Sequence, residues 1–219
     1  AVILEPYRDD GPEKKYLQKV KSLSKKYGAV LIFDEVTSGF RETLGGMYKK
    51  SGVIPDMVTF GKAISNGVPM SALLGKKKIM KSFQSTFISS TYWGDRTGPA
   101  AALATIEFMR KNKVGEYLKK TGLSLKEILK NAADNSGLDI TITGVPSLLS
   151  YKLNVPNWPL SLTFIIASML KKGILSNDRI YSNFCHTPKA IKKFDQALNE
   201  TFYELNKKIN NDNLQNAVP

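Results

Sequence analysis

Cysteine and histidine occur once each, as the neighbours Cys185 and His186. One chain therefore has neither an internal disulfide framework nor a Cys/His zinc site, and a reducing, cytoplasmic setting is the default expectation. A nucleophile or general-base role for this pair needs a partner within reach, and the sequence supplies none, so both are read as structural. Long apolar runs are missing as well. The longest candidate, residues 162–170, falls short of the roughly 18 to 20 residues that cross a bilayer as a helix. No basic-then-apolar leader opens the chain, so neither secretion nor membrane insertion is expected. Arginine is scarce: only Arg8, Arg41, Arg96, Arg110 and Arg179 among 32 basic residues. A formal charge of +13 invites a nucleic-acid reading through counterion release. Arginine, however, is the preferred residue for bidentate phosphate and base contacts, and the lysines at 14, 15, 19, 21, 25 and 26 keep solvent-facing helical spacings. Solvated helix faces are expected instead, with no nucleic-acid or membrane partner. An initiator methionine is also missing. The chain opens on an apolar run closed by Glu5-Pro6, and is read as a piece whose upstream partner strands are absent.

What is present is ample for folding: 219 residues fit one large domain or two small ones, and the apolar content can bury a proper core. Residues 1–5 read as a strand, a turn at 8–12 leads into a helix with Pro12 early in it, and that helix stops at Gly28. Residues 29–33 make a wholly apolar second strand. Strand, helix and buried strand in about thirty residues indicate a parallel βαβ unit. Residues 57–60 and 71–75 supply two more strands. A short basic helix is expected over 76–83, a hydroxyl- and aromatic-rich loop over 85–96, and a strong helix over 98–111 that links two lobes. Beyond it lie a helix over 114–133, strands over 138–143 and 148–153, a helix over 160–172 and a short extended piece at Ile174-Leu175. Thr187-Pro188 starts a final helix running to about residue 206. The expected organisation is 1–112, part of a large domain; 113–209, a smaller α/β domain; and 210–219, a polar tail free to fray.

Three apolar runs end at a charged residue: Glu5, Asp34 and, after one glycine, Lys62. Open α/β sheets place ligands at the carboxyl ends of their strands, so these residues are candidates for one site. A lysine delivered by a strand into a glycine-bounded turn, Gly61 to Gly67, is one way to hold an amine in a partly dry pocket where it becomes nucleophilic. Taken singly, Lys62 reads equally as a solvated lysine and Asp34-Glu35 as a strand-ending turn or helix cap.

Asp34-Glu35-Val36-Thr37-Ser38-Gly39-Phe40-Arg41, then Gly45-Gly46, Gly52-Val53-Ile54-Pro55-Asp56 and Gly61-Lys62, form an ordered set. With it the chain resembles the class III aminotransferases of pyridoxal phosphate fold type I, and within them the glutamate-1-semialdehyde 2,1-aminomutase branch. The resemblance covers residues 1 to about 206 and corresponds to the second half of a family member. It implies an α/β fold made of the C-terminal part of a large, mainly parallel-sheet domain plus a smaller C-terminal α/β domain. It also implies pyridoxal 5'-phosphate as cofactor. Lys62 would bind it as a Schiff base and, once displaced by the substrate amine, move a proton on the substrate. Asp34 would keep the pyridine nitrogen protonated, and Val36 would press on one ring face. Thr91 matches the hydroxyl that reaches the cofactor phosphate of the neighbouring subunit, with Ser90 helping, so a homodimer with shared sites is implied.

The resemblance further implies that 219 residues alone bind the cofactor poorly, since the family's other phosphate-binding turn lies outside them. After Thr91 the chain departs from the family pattern, reading Tyr92-Trp93-Gly94-Asp95-Arg96-Thr97-Gly98-Pro99. Arg96 is a candidate for a substrate carboxylate or phosphate, or else a structural ion pair with Asp95 or another carboxylate. The implied activity is transfer of an amino group between an amine or amino acid and a carbonyl compound, between two molecules or within one. A different class remains open beside it: a non-catalytic basic binding or scaffold protein that retains the fold.

Overall fold

The computed structural model describes residues 1–8 and 11–217; Asp9 and Asp10 of the expected turn, and Val218 and Pro219 of the expected tail, lie outside the described residues. Two compact units divide the chain, Ala1–Glu116 and Tyr117–Pro219.

The first unit is built on a four-stranded sheet in the order β1 (Val2–Leu4), β2 (Leu31–Asp34), β3 (Met57–Phe60) and β4 (Ala72–Gly75). The first three strands run parallel and β4 is antiparallel to β3. Helix α1 (Lys14–Lys26) makes the expected crossover from β1 to β2, but it starts after Glu13, so Pro12 lies ahead of the helix and not in its first turn. Its Leu17 is fully buried, together with Leu31, Phe33 and Met47, and each such side chain contributes about 1.5–3 kcal/mol by leaving water. Alternation along β2 sends Leu31 and Phe33 into this core. A short helix α2 (Tyr48–Ser51), absent from the sequence expectation, follows the glycine pair and ends at Gly52, whose φ of 68° is left-handed.

After β4 the expected basic helix over 76–83 is cut to one turn, α3 (Lys77–Met80), continued by a 3-10 stretch, Lys81–Ser85. Four lysines within 76–81 give the stretch no opposite charge at helical spacing to hold a longer helix. Residues 86–96 form an exposed loop, and α4 (Thr97–Lys111) begins where Asp95 accepts the Thr97 N–H at 2.9 Å.

The second unit holds most of α5 (Val114–Asn135), an antiparallel sheet in the order β5 (Ile140–Thr143), β6 (Leu149–Leu153) and β7 (Arg179–Ile180), and the helices α6 (Trp158–Lys171) and α7 (Pro188–Asn210). Both later helices start as sequence rules require, with Asn157 and Thr187 as caps followed by an early proline. The core joins Leu129, Leu149, Leu153, Ile165, Met169, Leu198, Phe202 and Leu205, all fully buried.

Ile174 and Leu175 follow the end of α6, where Gly173 N–H bonds to Leu170 O at 2.8 Å and Ile174 N–H to Met169 O at 2.9 Å, a Schellman closure. The third strand comes later, at Arg179–Ile180. In the tail, Asn213 N–H bonds back to Lys208 O at 3.0 Å and Leu214 is buried in the core. Among the described residues no helix is long and apolar enough to cross a membrane.

Candidate active site

Register decides which turns meet at the sheet edge. Asp34, the last residue of β2, pairs with Thr59 of β3, and Glu35 N–H extends the ladder to Thr59 O at 3.0 Å. Thr37 lies three residues beyond Asp34, and Lys62 three beyond Thr59. The two strands are parallel neighbours, so both excursions leave the same edge. They meet there: Lys62 Nζ donates to Thr37 Oγ1 at 2.9 Å.

Asp34 is half-buried and held by two donors. Its Oδ1 accepts from Val36 N–H at 3.0 Å, the short-range aspartate turn that favours this residue at a strand end, and from the Thr59 hydroxyl at 3.1 Å. Both bonds fall on the same oxygen, so the carboxylate is oriented while Oδ2 receives neither. Val36 packs beside Gly61, where an added Cβ would stand 3.2 Å from its Cγ1. Gly61 thus lets the lysine turn run close against Val36.

Lys62 opens the 3-10 turn Lys62–Ile64 with φ of 46°, in the left-handed region that costs a side-chain-bearing residue about 1–2 kcal/mol. The strained residue is the exposed lysine, whereas Ile64 and Ser65 behind it are buried and hold the turn, Ser65 Oγ donating to Val68 O. Strain of this kind persists where surrounding packing over-determines it, and such positions cluster at functional sites.

Glu35 has a different environment from its neighbour. Fully buried, it accepts Tyr48 N–H at 2.8 Å on Oε1, Met47 N–H on Oε2, and the Ser38 hydroxyl at 3.3 Å. Burial pushes its carboxyl above the usual carboxylate range, and the two N–H donors offset only part of that. Glu35 therefore caps the start of α2 and fixes the loop 39–47. The glycines of the motif follow from this packing: an added Cβ at Gly39 would stand 2.5 Å from the Phe60 ring, and one at Gly46 would stand 2.9 Å from Glu35 Oε1.

The remaining candidates lie apart. Glu5 ends β1 on the same edge but turns to Arg8, with an N–O distance of 2.8 Å, so it does not join Asp34 and Lys62. Ser90 and Thr91 sit exposed on the 86–96 loop, where Ser90 Oγ accepts Tyr92 N–H at 3.3 Å, and no hydrogen bond joins either to Asp34 or Lys62 among the described residues. Arg96 is exposed, just ahead of α4. Asp95 does not pair with it: that carboxylate takes the Thr97 N–H and, at 2.7 Å, the Thr97 hydroxyl, which hold it below the usual range.

A cavity of about 400 Å³ lies elsewhere, in the second unit, lined by Ile174, Arg179, Ile180, His186, Ile191 and Phe194. Among the described residues no cluster of His, Cys, Asp and Glu could hold a metal ion.

Sequence reasoning missed Thr37, Thr59 and the structural duty of Glu35. Thr37 and Thr59 could have been singled out only by the β2–β3 register, which sequence does not give. The extended conformation of Asp34-Glu35 did carry a signal, since neighbours on a strand point to opposite faces.

The donor set fits the ring end of a pyridoxal group. An oriented carboxylate suits a protonated ring nitrogen, an exposed amine suits an aldehyde, and Val36 offers an apolar face between them. The family model described as Aminotransferase class-III matches residues 1–177. Over 204 residues the chain is 30% identical to a 3-aminobutyryl-CoA aminotransferase of Cloacimonas acidaminovorans, covering 90% of this chain and 49% of that protein. Over 155 residues it is 32% identical to a glutamate-1-semialdehyde 2,1-aminomutase of Methanosarcina acetivorans, covering 68% of this chain and 37% of that one. Among solved structures it is similar to the FumI protein of Sphingopyxis sp. MTA144 in its PLP internal aldimine form, with a TM-score of 0.88 at 23% identity, over 94% of this chain and 52% of that one. An omega-transaminase from Sphaerobacter thermophilus matches with a TM-score of 0.83 at 23% identity over the same shares, 94% and 52%. The fold is that of the fold type I transferases. The chain spans about half the length, or less, of the curated relatives it matches.

Proposed function

The chain belongs to the class III aminotransferase family, and from that premise we propose that it carries the lysine and carboxylate of a pyridoxal-phosphate site that moves an amino group between an amine or amino acid and a carbonyl compound. The observation that carries the reading is the meeting of the Asp34 and Lys62 turns at one sheet edge, with Lys62 Nζ 2.9 Å from Thr37 Oγ1. Relatives named as an aminotransferase and as an aminomutase support both modes of transfer, between molecules and within one.

Pyridoxal phosphate, when bound, supplies an electron sink that acidifies the C–H bond next to the nitrogen being moved. Lys62 would hold its aldehyde carbon. Asp34, pinned by Thr59 and Val36, would keep a proton on the ring nitrogen, because a carboxylate at hydrogen-bond distance favours the charged form of its partner. Val36 would cover one ring face. Lys62 Nζ, an exposed amine at the same edge, would hold and move the proton of the substrate carbon. Thr91 and Ser90, exposed on their loop, would offer hydroxyls to the phosphate of a second copy of the chain, making a homodimer with shared sites. Exposed Arg96 would meet an anionic group on the substrate.

The test is borohydride reduction of the full-length protein with pyridoxal phosphate, followed by peptide mapping. A pyridoxyl mass concentrated on Lys62, lost in Lys62→Ala and weakened at least about tenfold in Asp34→Ala, is the expected outcome. Label spread evenly over surface lysines, with Lys62 no richer than Lys77, would discard the reading.

A further inference from the structure

We propose that Thr37 is a positioning residue for Lys62, its hydroxyl holding the lysine amine beside the Asp34 turn in both protonation states. This rests on the reading of Lys62 as the cofactor lysine and adds a residue to it.

The contact is specific. Among the described residues Thr37 Oγ1 is the only hydrogen-bond partner of Lys62 Nζ, at 2.9 Å, although the lysine is exposed and has room to point elsewhere. Both ends of the contact are fixed by backbone. Thr37 O accepts Arg41 Nε–H at 3.0 Å, anchoring the turn that presents the hydroxyl. Lys62 leaves β3 with φ of 46°, a left-handed conformation that turns the chain sharply after Gly61 and lets its side chain come back to the end of β2.

The chemistry explains why a hydroxyl suits this position. A carboxylate there would form an ion pair and hold the proton on the amine, in the state that cannot attack a carbonyl. An apolar side chain would leave the amine unpositioned. A hydroxyl accepts from the ammonium and donates to the neutral amine, so the lysine keeps one partner as it loses and regains its proton. Asp34 Oδ1 is meanwhile occupied by Val36 N–H and the Thr59 hydroxyl, which keeps that carboxylate on a separate duty.

The test uses full-length protein without cofactor. Acetylation by acetic anhydride is followed by peptide mass spectrometry, with the rate at Lys62 taken relative to exposed Lys77. In Thr37→Val the Lys62 rate is expected to rise about two- to fivefold, as an amine released from its one hydrogen bond is more open to the reagent. Thr37→Ser, which restores the hydroxyl, is expected to return it to the wild-type value. Equal Lys62 rates in wild type and Thr37→Val, or failure of Thr37→Ser to restore, overturns the inference. An unchanged Lys77 rate and an unchanged melting temperature show that the variants are folded. Borohydride trapping on wild type is run in parallel. Loss of trapping with the labelling pattern intact would sink the cofactor reading and leave the Thr37–Lys62 contact standing, so the two failures are distinguishable.

Discussion

Glu35 has no exposure to solvent, yet its two carboxyl oxygens accept two backbone N–H groups and one hydroxyl. Replacing it by glutamine keeps one acceptor oxygen but turns an NH2 group towards the second N–H donor, leaving that donor unsatisfied in a dry site. Glu35→Gln is therefore expected to destabilise the first unit by about 2–3 kcal/mol in urea unfolding. The pH dependence has a definite sign. The folded-state value is raised, so the carboxyl's contribution to stability is fully present below its unfolded value of 4.5 and is lost as pH rises through the raised value. The wild-type advantage over Glu35→Gln should widen on acidification; a difference that is flat in pH would contradict the burial argument. Asp34, one residue earlier, points to the other face of the strand and keeps an oxygen outside its two anchoring bonds. Sequence presents these two acids as a pair, whereas the structure buries Glu35 fully and leaves Asp34 half-buried at the strand end.

Among the elements, α5 is approached closely by backbone at its glycines, and most closely at Gly122. Gly122 is buried in mid-helix, where an added Cβ would stand 1.8 Å from the Pro146 carbonyl oxygen and 2.3 Å from its carbon. Backbone, unlike a flexible side-chain end, has little freedom to retreat. Gly122→Ala is therefore expected to destabilise the second unit by about 3 kcal/mol or more, despite alanine's higher helix propensity, and calorimetry should show a melting temperature lowered by several degrees. A rise in stability would mean that propensity outweighs packing there. The same contest shaped the helix ends. The Thr187 cap was legible as local chemistry, whereas the Asn157 cap, which starts α6 ahead of the expected residue 160, was not singled out.

For the whole molecule, each unit holds a group whose pKa burial displaces, Glu35 upward in the first and His186 downward in the second. His186 is the only histidine, and burial pushes its pKa below the ordinary 6.5, while Tyr117 holds its backbone carbonyl at 2.7 Å and Asn183 meets Nε2 at 2.9 Å. A depressed folded value means stability present above the unfolded pKa and lost as pH falls from 6.5 through the folded value. A chain of residues 113–219 is expected to melt cooperatively, and to be less stable at pH 5 than at pH 7.5. His186→Gln should remove most of that difference. Absence of a cooperative transition would show that this core is insufficient by itself, and an unchanged pH dependence in the variant would assign the effect to other groups.

The sequence by itself determined the alternation of strands and helices, the parallel β1–β2 pair, the Thr187 helix cap, and the ordered motif from Asp34 to Lys62, because these depend on local propensity, on periodicity and on residue types with fixed chemistry. It also singled out Lys62 and Asp34. Only the tertiary structure decided which residues serve them. The register that pairs Asp34 with Thr59 links positions 25 residues apart and sets the Thr37 hydroxyl against the Lys62 amine. No local pattern encodes such a pairing, since it is settled by which side chains pack beneath the sheet.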